Sequence, residues 1–288
     1  MSERFVNGNG IRIWTEDFGD RRDPAILLIM GASAQGIQWP EPFIERLVAA
    51  GLHAIRYDNR DTGRSTCFDF ATSPYTLDDL ANDAVAVLDA YDLASAHVVG
   101  ASMGGMIAQQ LMIHHPRRVR SATIIMSSPL SGAALMSGES LPGPDPTWLA
   151  EFAAGGAMPV DTPAQQIEMR VAMFAGLAGR IRPDVDAIRA IATREVARAT
   201  NFAAQANHSL AITTTTPDDR RPLLRSTSIP TLVIHGSDDP LVPCAHGQAL
   251  ADTIPRARLM TIDGMGHDLP QSQWPDVTQA IVDLTRGA

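Results

Sequence analysis

The chain reads as an α/β protein: a mostly parallel sheet with helices on both faces and one helical insertion. Two observations predict it. Short β-branched runs alternate with helical segments through the first 126 residues, lapse near Ser127, and resume after about Arg221. A Gly-x-Ser-x-Gly turn also stands between one such strand and the helix after it. Strand and helix in alternation give parallel neighbours, because each crossover helix returns the chain to the same end of the sheet.

Ile11 to Thr15 and Ala25 to Met30 read as strands. Pro40 to Ala50 reads as a helix with Phe43, Leu47 and Val48 on one face. A strand at His53 to Tyr57 leads into a loop, Asp58 to Ser73. Leu77 to Tyr91 is helical, since Leu77, Leu80, Ala84, Val87 and Leu88 recur at helical spacing. Next come a strand at His97 to Val99, a helix from Met103 to His115, and a strand at Ala122 to Met126. No convincing strand appears between residues 127 and 221. Pro and Gly punctuate its start, and helical patches follow at Thr147 to Ala154, Pro163 to Ala178 and Pro183 to Ala206. Thr231 to His235 and Arg258 to Ile262 are strands; Ala245 to Thr253 and Trp274 to Arg286 are helices. The expected division is a core from 1–126 and 222–288, with a helical cap from 127–221.

The 288 residues suffice for one large core, or for one core carrying a smaller insertion. Apolar residues make up 45% of the chain, yet no run approaches the roughly 20 needed to span a bilayer. Met1 to Phe5 shows no apolar leader core, so the cytoplasm is the expected compartment. A net charge of −9, with no basic stripe, opposes nucleic-acid binding. Cys67 and Cys244 read as unrelated free thiols, and no spacing suggests a metal site.

Chemistry concentrates at Val98-Val99-Gly100-Ala101-Ser102-Met103-Gly104-Gly105. A serine in a strained strand-to-helix turn needs neighbours without side chains two residues away. The turn lifts its hydroxyl to the carboxyl edge of the sheet. The following helix then aims its positive N-terminus at charge developing there. Serine alone is a weak nucleophile and requires a base. His267, in Asp263-Gly264-Met265-Gly266-His267, follows the last strand and lies at the same sheet edge. The orienting acid is expected between the two, after the preceding strand. Val233-Ile234-His235-Gly236-Ser237-Asp238-Asp239 offers Asp239, three residues past Gly236, with Asp238 as the alternative. The oxyanion donors are expected to be the N–H of Met103 and, from Met30-Gly31-Ala32-Ser33, that of Ala32.

The order Ser102, Asp239, His267, the elbow, and the loop Tyr57 to Ser65 resemble the α/β-hydrolase superfamily with a helical cap. Leu27 to Gly31, Ile55 to Ser65 and Gly264 to His267 are similar, more narrowly, to the aclacinomycin methylesterases and related small esterases. The resemblance covers both core segments and fades between 127 and 221. It implies an eight-stranded, mostly parallel sheet and hydrolysis of a carboxylic ester of a small hydrophobic molecule, one form being a methyl ester on a polyketide-like ring. It also implies the triad Ser102, His267 and Asp239, with Ala32 and Met103 as oxyanion donors. Met30 departs from the pattern, standing where many members carry histidine.

The same triad serves thioesterases, lipases, carbon–carbon bond hydrolases and cofactor-free perhydrolases or haloperoxidases; a non-catalytic binding module is the reading from another class. No metal or organic cofactor is expected, no nucleic-acid or membrane partner, and either a monomer or a homodimer. Trp39, Trp148 and Phe152 are candidates for the substrate pocket. Met126, Met136, Met158, Met169 and Met173 would fill apolar space around the cap. Asp58, Arg60, Asp61 and Arg64 read as a salt-bridged brace, His114 and His115 as helix-end residues, and His208 as a cap residue that could face the site.

Overall fold

The computed structural model describes residues 2–155 and 160–288. Strands β1 (Ser2–Gly8) and β2 (Ile11–Phe18) form an antiparallel hairpin. Its turn residues Asn9 and Gly10 both have positive φ, 50° and 76°, as a twist-matched two-residue turn requires. There follow β3 (Ala25–Ile29), α1 (Glu41–Ala49), β4 (His53–Tyr57), α2 (Leu77–Ala90), β5 (Ala96–Ala101), α3 (Met103–His114) and β6 (Val119–Ile125). Helices α4 (Gly132–Ser137), α5 (Pro146–Gly155), α6 (Pro163–Gly176), α7 (Val185–Arg198), α8 (Asn207–Thr214) and α9 (Arg221–Leu224) intervene before the next strand. The chain ends with β7 (Thr231–Gly236), α10 (Ala245–Thr253), β8 (Ala257–Ile262) and α11 (Trp274–Arg286).

One sheet of eight strands has the order β1-β2-β4-β3-β5-β6-β7-β8. Strand β2 pairs antiparallel with β1 and β4, and every later pairing is parallel. Successive side chains on a strand face opposite ways, and both faces are covered. Leu27 and Ile29 pack with α2 and α3, whereas Ile26 and Leu28 pack with α1 and α11. All four are fully buried, each worth about 1.5–3 kcal/mol by area removed from water. Helix α3 is buried from Met103 to Met112, so it is apolar nearly all round and seats Ser102 rigidly.

The segment between β6 and β7 leaves and re-enters the sheet at one place. Leu130 bridges Asp219, Ser131 N–H donates to Asp218 O at 2.7 Å, and Arg220 N–H donates to Pro129 O at 2.9 Å. Fully buried Arg220 also donates to the carbonyls of Ser128 and Leu130.

Several expectations change. Strand β1 was not anticipated, because Val6 is its one buried residue and its polar pattern gives no apolar alternation. The helix expected over Pro183 to Ala206 divides. Helix α7 stops at Arg198, Ala199 is extended, and α8 begins at Asn207. Thr200 N–H donates to Gly63 O at 2.7 Å, and Arg198 pairs with Asp58 at 2.9 Å. These bonds draw the chain onto the loop after β4 and out of the helix. Helices α4, α8 and α9 also escaped the helical periodicity, being eight residues or fewer. Met158 lies outside the described residues. The 58–64 loop is braced as expected. Besides Asp58–Arg198, Arg60 pairs with buried Asp83 at 2.7 Å, and Asp61 accepts from Tyr75 Oη at 2.6 Å. His114 and His115 engage Asp78 and Asn82 separately.

Candidate active site

Ser102 joins β5 to α3 with φ 53° and ψ −117°, a conformation L-residues avoid. The flanking glycines are needed for space. A Cβ on Gly100 would overlap the Gly104 carbonyl, and one on Gly104 would overlap the Ile29 carbonyl. The turn is pinned by Ser102 N–H donating to Ile125 O at 2.9 Å and Ser127 Oγ donating to Ser102 O at 2.8 Å.

Two loops at the same sheet edge bring the partners. His267 Nε2 lies 2.9 Å from Ser102 Oγ, and its Nδ1 lies 2.8 Å from Asp239 Oδ2. A carboxylate only accepts, so Nδ1 carries the proton and Nε2 presents its lone pair to the serine hydroxyl. Asp239 follows β7, and its Oδ1 accepts from the N–H groups of Leu241 at 3.0 Å and Val242 at 2.8 Å. Burial opposes the charge on Asp239. The His267 ring and the nearby His235 outweigh it and hold the carboxyl well below the usual carboxylate range. Asp239 thus stays ionised beside the imidazole. Asp238 turns away: Arg180 donates to it at 2.7 Å and also grips Asp263. Of the two aspartates considered from sequence, only Asp239 reaches His267.

Both expected oxyanion donors stand beside the serine. Met103 opens α3, where first-turn N–H groups lack helical acceptors. Gly31 runs so close that a Cβ there would lie 3.1 Å from Ser102 Cβ, and Ala32 follows it. Among the described residues, neither Met103 N–H nor Ala32 N–H finds a protein acceptor.

A cavity of about 540 Å³ adjoins His267. Met30, Trp39, Ala101 and Met126 line it from the sheet side, Phe174, Ile188 and Ile191 from α6 and α7, and Asp268 and Leu269 from the loop after His267. Of the three aromatics considered from sequence, Trp39 is the one that lines this cavity. Trp148 and Phe152 are not among the lining residues; they stack on each other in α5 at 5.1 Å, with Phe152 half exposed. Two adjacent aromatics satisfy each other on one helix face, whereas the cavity takes its wall from the helix pair α6 and α7. The apolar spacing of Ile188 and Ile191 was the available signal. Met136 is exposed, and Met169 and Met173 are half-buried. His208 does not face the cavity; it is fully buried against the loop after β3.

The strand order, the elbow and the Ser102–His267–Asp239 geometry define the class, and the chain belongs to the α/β-hydrolase fold family, whose model matches residues 24–270. It is 36% identical to rhodomycin D methylesterase of Streptomyces sp. (strain C5), covering 100% of this chain and 99% of the relative. The rhodomycin D methylesterase of Streptomyces peucetius matches with the same identity and coverage. A crystal structure of a hydrolase from Pseudomonas aeruginosa PA01 has a TM-score of 0.75 at 26% identity, covering 100% of this chain and 99% of that one. Both curated relatives are methylesterases by name, the group the sequence motifs resemble. Among the described residues, no helix is long and apolar enough to cross a membrane.

Proposed function

We propose that the chain hydrolyses a carboxylic ester of a small hydrophobic molecule through an acyl-enzyme on Ser102. The observation that carries this reading is the hydrogen-bond relay from Ser102 through His267 to ionised Asp239, set on a strained turn. His267 Nε2 takes the Ser102 proton as Oγ attacks the ester carbonyl. The N–H groups of Ala32 and Met103 hold the oxyanion, and Asp239 stabilises the imidazolium. His267 then returns the proton to the leaving alcohol. In the second step it activates water, which releases the acid and restores the serine.

A methyl ester is the finer reading. It is supported by the methylesterase names of the relatives at 36% identity and by the largely apolar wall that Phe174, Ile188, Ile191 and Met126 give the cavity. The segment 127–221 would act as the cap that selects the acyl group. The test is hydrolysis of a panel of methyl, ethyl and aryl esters of varied ring size by the wild-type protein and Ser102→Ala. Turnover of at least one ester, falling by several orders of magnitude in the variant, is expected. Near-normal turnover by Ser102→Ala would refute the reading.

A further inference from the structure

Ser33 follows Ala32 and has φ +60°, a left-handed conformation that a residue with a Cβ enters only when held there. A local turn bond, Ala34 N–H to Gly31 O at 3.3 Å, closes around it, and contacts from far along the chain hold it in place. All three of its polar groups bond to the segment between β6 and β7. Ser33 N–H donates to His208 Nδ1 at 2.9 Å, Ser33 Oγ–H donates to Gln205 O at 3.0 Å, and Arg170 Nη1 donates to Ser33 O at 2.7 Å. Arg170 is itself fixed by a buried ion pair with Glu195, whose other oxygen accepts from Gln35 N–H at 3.1 Å.

The proton on His208 can be located. Its Nε2 lies 2.7 Å from the Arg60 carbonyl, which only accepts, so Nε2 carries the hydrogen and Nδ1 offers its lone pair to Ser33. Burial lowers the ring pKa, the bond to the Arg60 carbonyl and the charge of Asp61 opposing and that of Arg60 assisting. A neutral ring is the form that accepts from Ser33.

We propose that His208 is a positioning residue for the oxyanion hole. With Arg170 and Gln205 it holds Ser33 left-handed, and this keeps the N–H of Ala32 aimed at the substrate carbonyl oxygen on Ser102. The inference rests on the acyl-transfer reading above. It assigns the inserted helices a part in the chemical step besides substrate selection. Loss of the His208 bond frees Ser33 to relax toward ordinary dihedrals and turns the Ala32–Ser33 peptide, which re-aims the adjoining Gly31–Ala32 peptide that carries the Ala32 N–H, while the apolar cavity is left in place.

The test compares wild type, His208→Leu and His208→Asn, with steady-state kinetics on whichever ester the panel selects and binding of phenylboronic acid, which forms a tetrahedral adduct on an activated serine. Asparagine places an acceptor near the position of Nδ1. His208→Leu should lower kcat by about 10–100-fold, approaching the loss of one oxyanion donor, with KM within about threefold. Boronate affinity should fall in parallel with kcat, and His208→Asn should recover most of both. Unchanged kcat, or a loss shared by KM that asparagine does not rescue, would overturn the proposal. Should His208→Leu fail to fold, Ser33→Val decides, since a β-branched residue resists positive φ; the same split between kcat and KM is expected, and its absence overturns the proposal. Fluorophosphonate labelling of wild-type Ser102 separates the two levels. A wild type that never labels refutes the acyl-transfer reading itself, whereas labelling with unaltered kcat in the variants refutes only the role of His208.

Discussion

The main-chain N–H of His267 donates to the carbonyl of Leu177 at 2.8 Å, so the loop carrying the proposed base hangs from the end of helix α6. Around that bond two backbones meet without side chains between them. A Cβ on Gly266 would overlap Leu177 O and Gly179 N, and one on Gly179 would lie 2.5 Å from Gly264 O.

Gly266→Ala should therefore push the His267 loop off the 177–179 segment. We expect kcat to fall about 100-fold, the usual consequence of a misplacement near 1 Å, together with a lower Tm. Gly176→Ala is the control, because its Cβ would meet only Trp148 Nε1 at 4.0 Å. Parallel kinetics and thermal melts of the two variants check this, and a fully active Gly266→Ala contradicts it.

The strained turn at Ser102 predicts a divergence between stability and activity. Ser102→Ala and Ser102→Gly should both be inactive, but glycine accepts φ 53° and ψ −117° without cost. Relief of about 1–3 kcal/mol of strain, less about 0.5–1 kcal/mol for the extra freedom glycine gains when unfolded, should leave Ser102→Gly the more stable by up to about 2.5 kcal/mol. Calorimetry of the pair measures this directly. A Ser102→Gly Tm below that of Ser102→Ala would mean that the turn stores less strain than glycine's entropic cost of about 0.5–1 kcal/mol.

The paired aspartates offer a sharp comparison. Asp239→Asn removes the acceptor that fixes the His267 tautomer and should lower kcat by about 10⁴-fold. Asp238→Asn loses exposed contacts to Arg180, worth at most about 1 kcal/mol, and should keep kcat within a few-fold. The reverse ranking would move the acid role to Asp238.

Asp268 should make stability depend on pH. Burial is the main cause that raises its carboxyl from 3.8 to about 6, the Asp239 charge adding to it while backbone bonds and His267 oppose. A folded-state pKa above the unfolded value contributes stability that is full below pH 3.8 and is lost as pH rises through about 6. Asp268→Asn cannot ionise. Its Tm relative to wild type should accordingly improve between pH 4 and pH 7; a constant difference across that range would exclude the effect.

Much of this fold was legible because its central strands are buried on both faces. Ile26 to Ile29 and Leu232 to Ile234 are continuous apolar runs, and continuous runs survive reading without knowledge of their partners. Ser102 was legible because its turn demands glycines at fixed local offsets. The order of Asp239 and His267 was legible because each follows a strand directly. Other features depend on contacts across long stretches of sequence. The Asn9–Gly10 turn was a readable hairpin signal, but β1 carries a single buried residue to support it. The break after Arg198 is caused by Gly63 and Asp58, distant in sequence. The bond from Ser33 to His208 spans 175 positions, and no local pattern encodes it.

The isolated bridge between Leu130 and Asp219, with the main-chain bonds beside it, closes the intervening residues into an excursion with a single root. An insert whose ends are already joined can be exchanged for another of different length at little additional entropic cost. The sheet could thus host a succession of roofs over evolutionary time. The exchange is not free of conditions, because any replacement must bring its own acceptor for the Ser33 N–H and its own carbonyl for the His267 N–H. On the roles proposed above, a new insert and an intact Ser102 turn would therefore have to be inherited as one cassette.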